Sequence, residues 1–246
     1  MTTFSAVLDG LLKTDPGRPL ITFYDGGSGE RTELSVTTYA NWVAKTASLL
    51  AEECDLERGH RLLVDLPTHW LGPVFLGAAW TVGLTVVWDE SDGPADAFVC
   101  GPATVDRWAD RAAGRPVIAT ALLPLGVRFP EPPHPRVLDF GVEVWGQPDA
   151  FVAGVEPEPE DLATPGTEQG RLWREATAGS LLQGVGFTGG GRLLTETNPA
   201  SPSGLACFVE PFARGGSLVL LVHTDEARVE ATYTSELATA RQPARS

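Results

Sequence analysis

Residues 61–90 read RLLVDLPTHWLGPVFLGAAWTVGLTVVWDE, and this stretch decides the fold class. It opens on a continuous apolar run, passes through a segment rich in small residues, and closes on a second apolar run that ends in acidic residues. An uninterrupted apolar run is typical of a parallel strand buried on both faces. The stretch therefore predicts a buried strand, a helix at about 69–82 that lies between two layers, and a second parallel strand.

The same alternation continues on both sides of this stretch. Upstream, the pattern predicts a short amphipathic helix, a strand hairpin that turns at Gly26–Gly29, and a helix from Thr37 or Thr38 to about Glu53. Downstream, strands and a helix alternate as far as residue 123. Alternating strands and helices predict an α/β fold with a mixed, mainly parallel sheet or sheets and helices on both faces.

A change in composition divides the chain into three predicted regions. Residues 1–123 form an α/β subdomain, residues 124–163 a connector rich in proline and acidic residues with one short strand, and residues 164–246 a second α/β segment that packs on the first.

Three helices are predicted in the last region. They run from Leu172 to Phe187, from a cap at Ser201 to about Gly215, and from a cap at Asp225 to Arg241.

Charge and hydropathy exclude several function classes. The net charge of −14 disfavours nucleic acids and anionic membranes as partners, because both require clustered lysine and arginine. The longest apolar stretch is interrupted by glycine and proline, so no membrane span is expected. The N-terminal residues lack the features of a secretory signal, which leaves the cytoplasm as the expected location.

Metal and cofactor chemistry is not indicated. The three cysteines and four histidines are scattered without ligand spacing, so we expect buried cysteines, no metal site and no bound cofactor. A cluster of carboxylates follows a predicted strand, where a weak divalent-cation site or a solvated turn fits, and we expect the turn. Its members are Asp89, Glu90, Asp92 and Asp96.

Two segments resemble parts of one enzyme family. Residues 37–90 and 181–221 each carry helices, turns and strands in an order found on either side of that family's phosphate loop. The matching positions in the first segment are Gly59-His60, Leu66-Pro67-Thr68, Val82-Gly83 and Trp88-Asp89-Glu90. The chain is thereby similar to the front part of adenylate-forming enzymes (acyl-CoA synthetases, luciferases and peptide-synthetase adenylation domains). It is also similar to a small family of short proteins from high-GC bacteria that is related to these enzymes.

The resemblance implies that a phosphate loop once lay at residues 164–171, which read TPGTEQGR. The candidate remnants of a nucleotide site are Thr164, Gly166, Thr167, Gly170 and Arg171. However, Pro165 removes a backbone donor, Glu168 places a negative charge where phosphate would lie, and the loop lysine of the family is absent. We therefore expect an ordinary connecting loop here, with a vestigial nucleotide or acyl pocket as the alternative.

The resemblance also implies which functions are lost. The family's later motifs, including its C-terminal lysine, find no counterpart, and the only lysines are Lys13 and Lys45. We expect no catalytic residues and a non-catalytic homologue that acts as an interaction or regulatory protein, as a homodimer or with a protein partner. A small-molecule binder and an enzyme that needs a complementing partner are the alternatives.

Overall fold

The structure is a computed structural model and describes residues 2–91 and 93–243. Its α-helices are α1 Phe4–Thr14, α2 Val36–Ser48, α3 Leu71–Val82, α4 Val105–Arg111, α5 Phe140–Glu143, α6 Gln169–Ala178, α7 Leu205–Ala213 and α8 Glu226–Ser235, and a π-helical turn at Leu49–Glu53 extends α2. Its strands are β1 Pro19–Asp25, β2 Arg31–Ser35, β3 Arg61–Asp65, β4 Thr85–Val87, β5 Ala97–Cys100, β6 Val117–Ala119, β7 Leu138–Asp139, β8 Leu162–Thr164, β9 Thr167–Glu168, β10 Arg192–Thr195, β11 Ser217–Val222 and β12 Ala240–Gln242.

Two five-stranded sheets organise these elements. The first sheet has the order β12-β10-β11-β1-β2, in which only the β1–β2 hairpin is antiparallel. The second has the order β4-β3-β5-β6-β7 and is parallel throughout. Strands β8 and β9 form a separate hairpin. The predicted mixed, mainly parallel α/β fold is confirmed.

The core lies between the two sheets, and a smaller apolar cluster covers the outer face of each. In β3, Leu62 belongs to the central core, whereas Leu63 packs in an outer cluster with Trp108 of α4. In β11, Leu220 faces the central core and Val219 packs in the other outer cluster, with Val229 of α8. Helices therefore cover both faces of each sheet, as predicted.

The sandwiched helix α3 is buried along almost its whole length, and it ends at Gly83 in the left-handed conformation. Gly77 allows its close packing: a Cβ atom there would lie 2.4 Å from the Tyr39 hydroxyl and 2.7 Å from Phe4. The small residues that predicted a helix between layers thus have a steric function.

Some predicted helix boundaries are wrong. Helix α2 begins at Val36 and is capped by Ser35, whose hydroxyl accepts a hydrogen bond from the Thr38 amide, so Thr37 and Thr38 lie inside it. Helix α7 begins at Leu205; Ser201 forms the preceding turn, in which its hydroxyl accepts from the Gly204 amide.

The predicted helix from Leu172 to Phe187 ends early, at Ala178. Gly179 adopts the left-handed conformation, and the amides of Leu181 and Leu182 each donate to the carboxylate of Glu210 at 2.8 Å. Glu210 is 1% exposed and also pairs with Arg214. A buried carboxylate from another helix therefore satisfies the amides that a longer helix would have used internally.

The C-terminal helix differs from prediction at one end only. Asp225 caps α8 through a 2.8 Å bond from the Arg228 amide, as predicted. The helix ends at Ser235 rather than Arg241, Leu237 is left-handed with φ of 52°, and Ala240–Gln242 form β12 against β10. In the part of the chain that the structure describes, no helix is long and apolar enough to span a bilayer.

Candidate functional site

The residues predicted as remnants of a phosphate loop lie in a tight hairpin and the helix that follows it. Thr164 ends β8 and is buried, Gly166 occupies the turn with φ of 72°, and Thr167 begins β9 opposite Thr164. Gly170 and Arg171 lie in the first turn of α6. The structure thus brings three of the five onto one hairpin and the other two onto the adjoining helix.

Polar groups of this segment are engaged locally. The amides of Gln169 and Gly170 donate to the carbonyls of Asp161 and Pro159, each at 2.7 Å. Arg171 pairs with Glu175 one turn along the helix, at 2.8 Å. These amides point back at the chain, whereas a phosphate loop presents its amides to the ligand.

The acidic cluster after β4 is similarly engaged. The Asp89 carboxylate accepts from the Ser91 amide, Glu90 pairs with Arg115, and Asp96 accepts from the Arg61 amide. Asp92 lies outside the described residues. Among the residues that are described, no group of three or more histidine, cysteine, aspartate or glutamate side chains is placed to hold a metal ion.

A cleft of about 830 Å³ lies where the two sheets meet at the carboxyl ends of their strands, and we name it the strand-end cleft. It contains the last residues of β1 and β11, the segment that follows β3, and residues just after β6 and β10. Ligands of open α/β sheets bind at this end of the strands. The strand-end cleft is therefore the candidate functional site.

One wall of the strand-end cleft is apolar and the rest is polar with a negative charge. Pro67 and Leu122 supply the accessible apolar surface, whereas the side chains of Phe23 and Leu221 are buried on opposite faces of the first sheet. Asp25, Glu196 and Asp225 supply three carboxylates, and among the described residues that line the cleft there is neither lysine nor arginine. Such a surface repels phosphate groups.

His69 is a buried residue of the cleft with a free hydrogen-bonding position. It is 4% exposed, and its ring packs against Phe23 and Trp70 at centroid distances of 4.8 and 5.4 Å. Its Nδ1 atom accepts a 3.2 Å hydrogen bond from the Leu71 amide. Burial lowers the pKa of His69 to about 3, against the opposing attraction of Asp25. The ring is therefore neutral with its proton on Nε2, and this donor has no hydrogen-bond partner among the described residues.

Asp25 and His223 close the cleft at the ends of β1 and β11. His223 Nδ1 lies 2.8 Å from Asp25 Oδ1, and its backbone has a left-handed φ of 52°. Burial raises the pKa of Asp25, but hydrogen bonds from Ser28, His223 and the Gly27 amide outweigh this effect and lower it to about 2. The Asp25 carboxylate therefore stays ionised throughout the neutral range.

Sequence reasoning missed this site. It treated His69 and His223 as scattered histidines and placed the candidate residues at 164–171. A usable signal was present, because polar residues lie at or just after the ends of four predicted strands, in Asp25, Thr68-His69, Glu196 and His223. That pattern does not show which of these strands lie side by side, so it does not bring these residues together in one site.

A curated relative matches nearly the whole of this chain. A curated protein of Mycobacterium tuberculosis, described as a TIGR03089 family protein, is 34% identical over 247 residues, which cover 97% of each chain. No family model matches the chain.

Solved structures share the fold. An acyl-CoA synthetase from Brucella canis gives a TM-score of 0.77 at 16% identity, covering 98% of this chain and 47% of its own. MatB from Rhodopseudomonas palustris gives 0.72 at 16% identity, covering 95% and 48%. A mutant form of coronafacic acid ligase from Pectobacterium brasiliense gives 0.72 at 10% identity, covering 96% and 49%. The chain spans about half the length of each, and the expected likeness to acyl-CoA synthetase-like proteins is confirmed for the fold.

Proposed function

Since the chain belongs to the TIGR03089 family and has the fold of about half an acyl-CoA synthetase, we propose that it is a non-catalytic homologue of adenylate-forming enzymes that binds a small molecule in the strand-end cleft. The observation that carries this proposal is the cleft itself, a space of about 830 Å³ with an apolar wall and a buried, unpartnered donor on His69. Ligand sites typically have volumes of roughly 300–1,000 Å³ and combine apolar walls with a few directed polar groups.

The charges of the cleft support the absence of adenylation. Transfer of an adenylyl group develops negative charge on phosphoryl oxygens, which basic groups and a metal ion must stabilise. The strand-end cleft offers carboxylates instead, and Lys45 is engaged elsewhere, by Asp149 and the Gln147 carbonyl.

A pyrophosphate assay tests this half of the proposal. The protein is incubated with ATP, Mg²⁺ and a panel of carboxylic acids, with an active acyl-CoA synthetase as the positive control. We expect no more pyrophosphate than in the protein-free blank. Sustained release that scales with protein concentration would show that the chain is an enzyme.

A cleft-filling substitution tests the binding half. Thr68 lines the cleft, so Thr68→Trp should occupy it, while Thr14→Trp places the same side chain at the exposed end of α1 as the control. A fragment library screened by ligand-observed NMR should give hits that bind the wild type and Thr14→Trp but not Thr68→Trp. A screen without cleft-dependent hits would contradict the proposal.

A separate observation favours self-association as the interaction role. Leu125 and Trp145 are 69% and 54% exposed. The ring of Trp145 lies 5.4 Å from that of Trp42, and Gly126, which follows Leu125 in the chain, packs against the same Trp42 ring. Exposed apolar side chains grouped in this way mark association surfaces. We propose that this surface joins two copies of the chain.

Sedimentation velocity at micromolar concentration tests the dimer. Leu125→Asp should give a monomer, since it places a charge in the apolar surface. The matched control is Leu237→Asp, because Leu237 is also exposed and also has a left-handed φ. A monomeric wild type, or equal effects of both substitutions, would exclude this surface as a dimer interface.

A further inference from the structure

The strand-end cleft carries more negative charge than its ion pairs neutralise. Of its carboxylates, Asp25 contacts His223, and Asp225 Oδ1 caps α8. Glu196 contacts Arg241 at 3.5 Å, but Arg241 is shared with two further carboxylates, Glu226 and Glu230. One guanidinium therefore serves three carboxylates, and the negative charge at this end of the cleft is not balanced.

An independent observation at the same cleft points to a ligand. The Nε2 donor of His69 is buried without a hydrogen-bond partner among the described residues, although most buried donors in proteins are paired. Its tautomer is fixed, because Nδ1 accepts from the Leu71 amide. A ligand that supplies an acceptor oxygen would satisfy this donor. No described carboxylate of the protein accepts from it, and an ammonium ion has no acceptor atom to offer.

Resting on the proposed binding function, we infer that the ligand of the strand-end cleft is a small organic cation. Its protonated amine lies toward Glu196 and Asp225, a carbonyl or ether oxygen accepts from His69 Nε2, and its apolar body packs on Pro67 and Leu122. The inferred class differs from nucleotides and free acyl carboxylates, whose anionic groups this cleft repels.

A screen with three sets of fragments tests whether the ligand of the strand-end cleft is a cation. Cationic, neutral and anionic fragments of equal size are tested by ligand-observed NMR on the wild type and on Thr68→Trp. We expect the cleft-dependent hits to be mainly cations. Hits dominated by neutral or anionic fragments would overturn the cation while leaving the binding function intact, whereas no cleft-dependent hits would overturn both.

Matched compounds test the individual contacts. N-(2-aminoethyl)benzamide carries the amine, the carbonyl and the apolar ring; N-propylbenzamide lacks the charge, N-benzoyl-β-alanine reverses it, and 4-phenylbutylamine lacks the carbonyl. The first should bind at least tenfold more tightly than the neutral and anionic compounds. Equal affinity across these three would contradict the inference.

Substitutions test whether Glu196 contacts the cation and whether His69 donates the hydrogen bond to the ligand. Glu196→Gln should weaken N-(2-aminoethyl)benzamide about tenfold and leave N-propylbenzamide unchanged. Glu226→Gln is the control, because it also removes a carboxylate from Arg241 but does not line the cleft. His69→Asn keeps an acceptor for the Leu71 amide and removes the Nε2 donor, so it should weaken the benzamide but not 4-phenylbutylamine. Equal effects of Glu196→Gln and Glu226→Gln would exclude Glu196 as the cation contact.

Discussion

At the scale of single residues, burial keeps the His69 imidazole neutral and couples the stability of the fold to pH. Burial lowers the pKa of His69 from 6.5 to about 3, with Asp25 opposing the shift. As the pH falls, the unfolded chain therefore binds a proton at His69 at a higher pH than the folded chain does. The stability that the neutral ring contributes is complete above pH 6.5 and is lost as the pH falls toward 3.

His69→Asn should reduce this pH dependence. Between pH 7.5 and 5 the free energy of unfolding of the wild type should fall by about 2 kcal/mol more than that of the variant, since each unit below about 6.5 corresponds to about 1.4 kcal/mol. Urea unfolding at a series of pH values measures the difference, in which the contributions of all other groups cancel. Parallel curves for the two proteins would show that His69 is not the titrating group.

At the scale of elements, the packing of α3 against α1 and α2 depends on the missing side chain of Gly77. A methyl group there would clash with Tyr39, Phe4 and Val43, and Tyr39 is held in place by its 2.8 Å bond to the Pro73 carbonyl. Gly77→Ala should therefore destabilise the protein by about 1–3 kcal/mol, although alanine favours a helix.

Gly10 provides the matched control, because it lies in α1 and a Cβ atom added to it would meet nothing within 4 Å. Gly10→Ala should stabilise the protein by about 0.5–1 kcal/mol through helix propensity alone. Urea unfolding of both variants measures the two effects. If both substitutions stabilised the protein, then α1, α2 and α3 could move apart to admit the methyl group without a cost in the free energy of unfolding.

At the scale of the whole molecule, the two ends of the chain share one sheet. Strand β1 pairs in parallel with β11, with Ile21 opposite Leu218, and the aromatic core joins Phe4 to Trp173 and Phe212. The residues before and after the exposed segment around Gly154 therefore contribute to the same sheet and the same hydrophobic core. The predicted boundaries at 123/124 and 163/164 stay predictions.

A cut between Gly154 and Val155 should leave the fold intact. With a protease site inserted there, the cleaved protein should elute as one species under native conditions and give two bands in a denaturing gel. Either fragment expressed alone should be unfolded or aggregated, because the cut divides the first sheet, leaving β1 and β2 in one fragment and β10, β11 and β12 in the other. Spontaneous separation into two soluble, folded fragments would establish two independent units.

The sequence by itself determined the α/β class, the layered arrangement and most element positions, because these follow from local periodicity and turn residues. The apolar run at 61–65, the small residues of α3 and the cap at Asp225 each predict a structure that was found. The acidic, lysine-poor composition that disfavours phosphate chemistry can also be read from the residues alone.

Only the tertiary structure decided how the strands pair, where α6 ends, that β12 exists and where the candidate site lies. Each of these depends on groups distant in sequence, such as Glu210 with the Leu181 amide, or β12 with β10. His69 and Glu196 line one cleft because two sheets end beside each other. The physical reason is that burial and hydrogen-bond satisfaction are set by contacts across the chain, whereas periodicity describes only neighbouring residues.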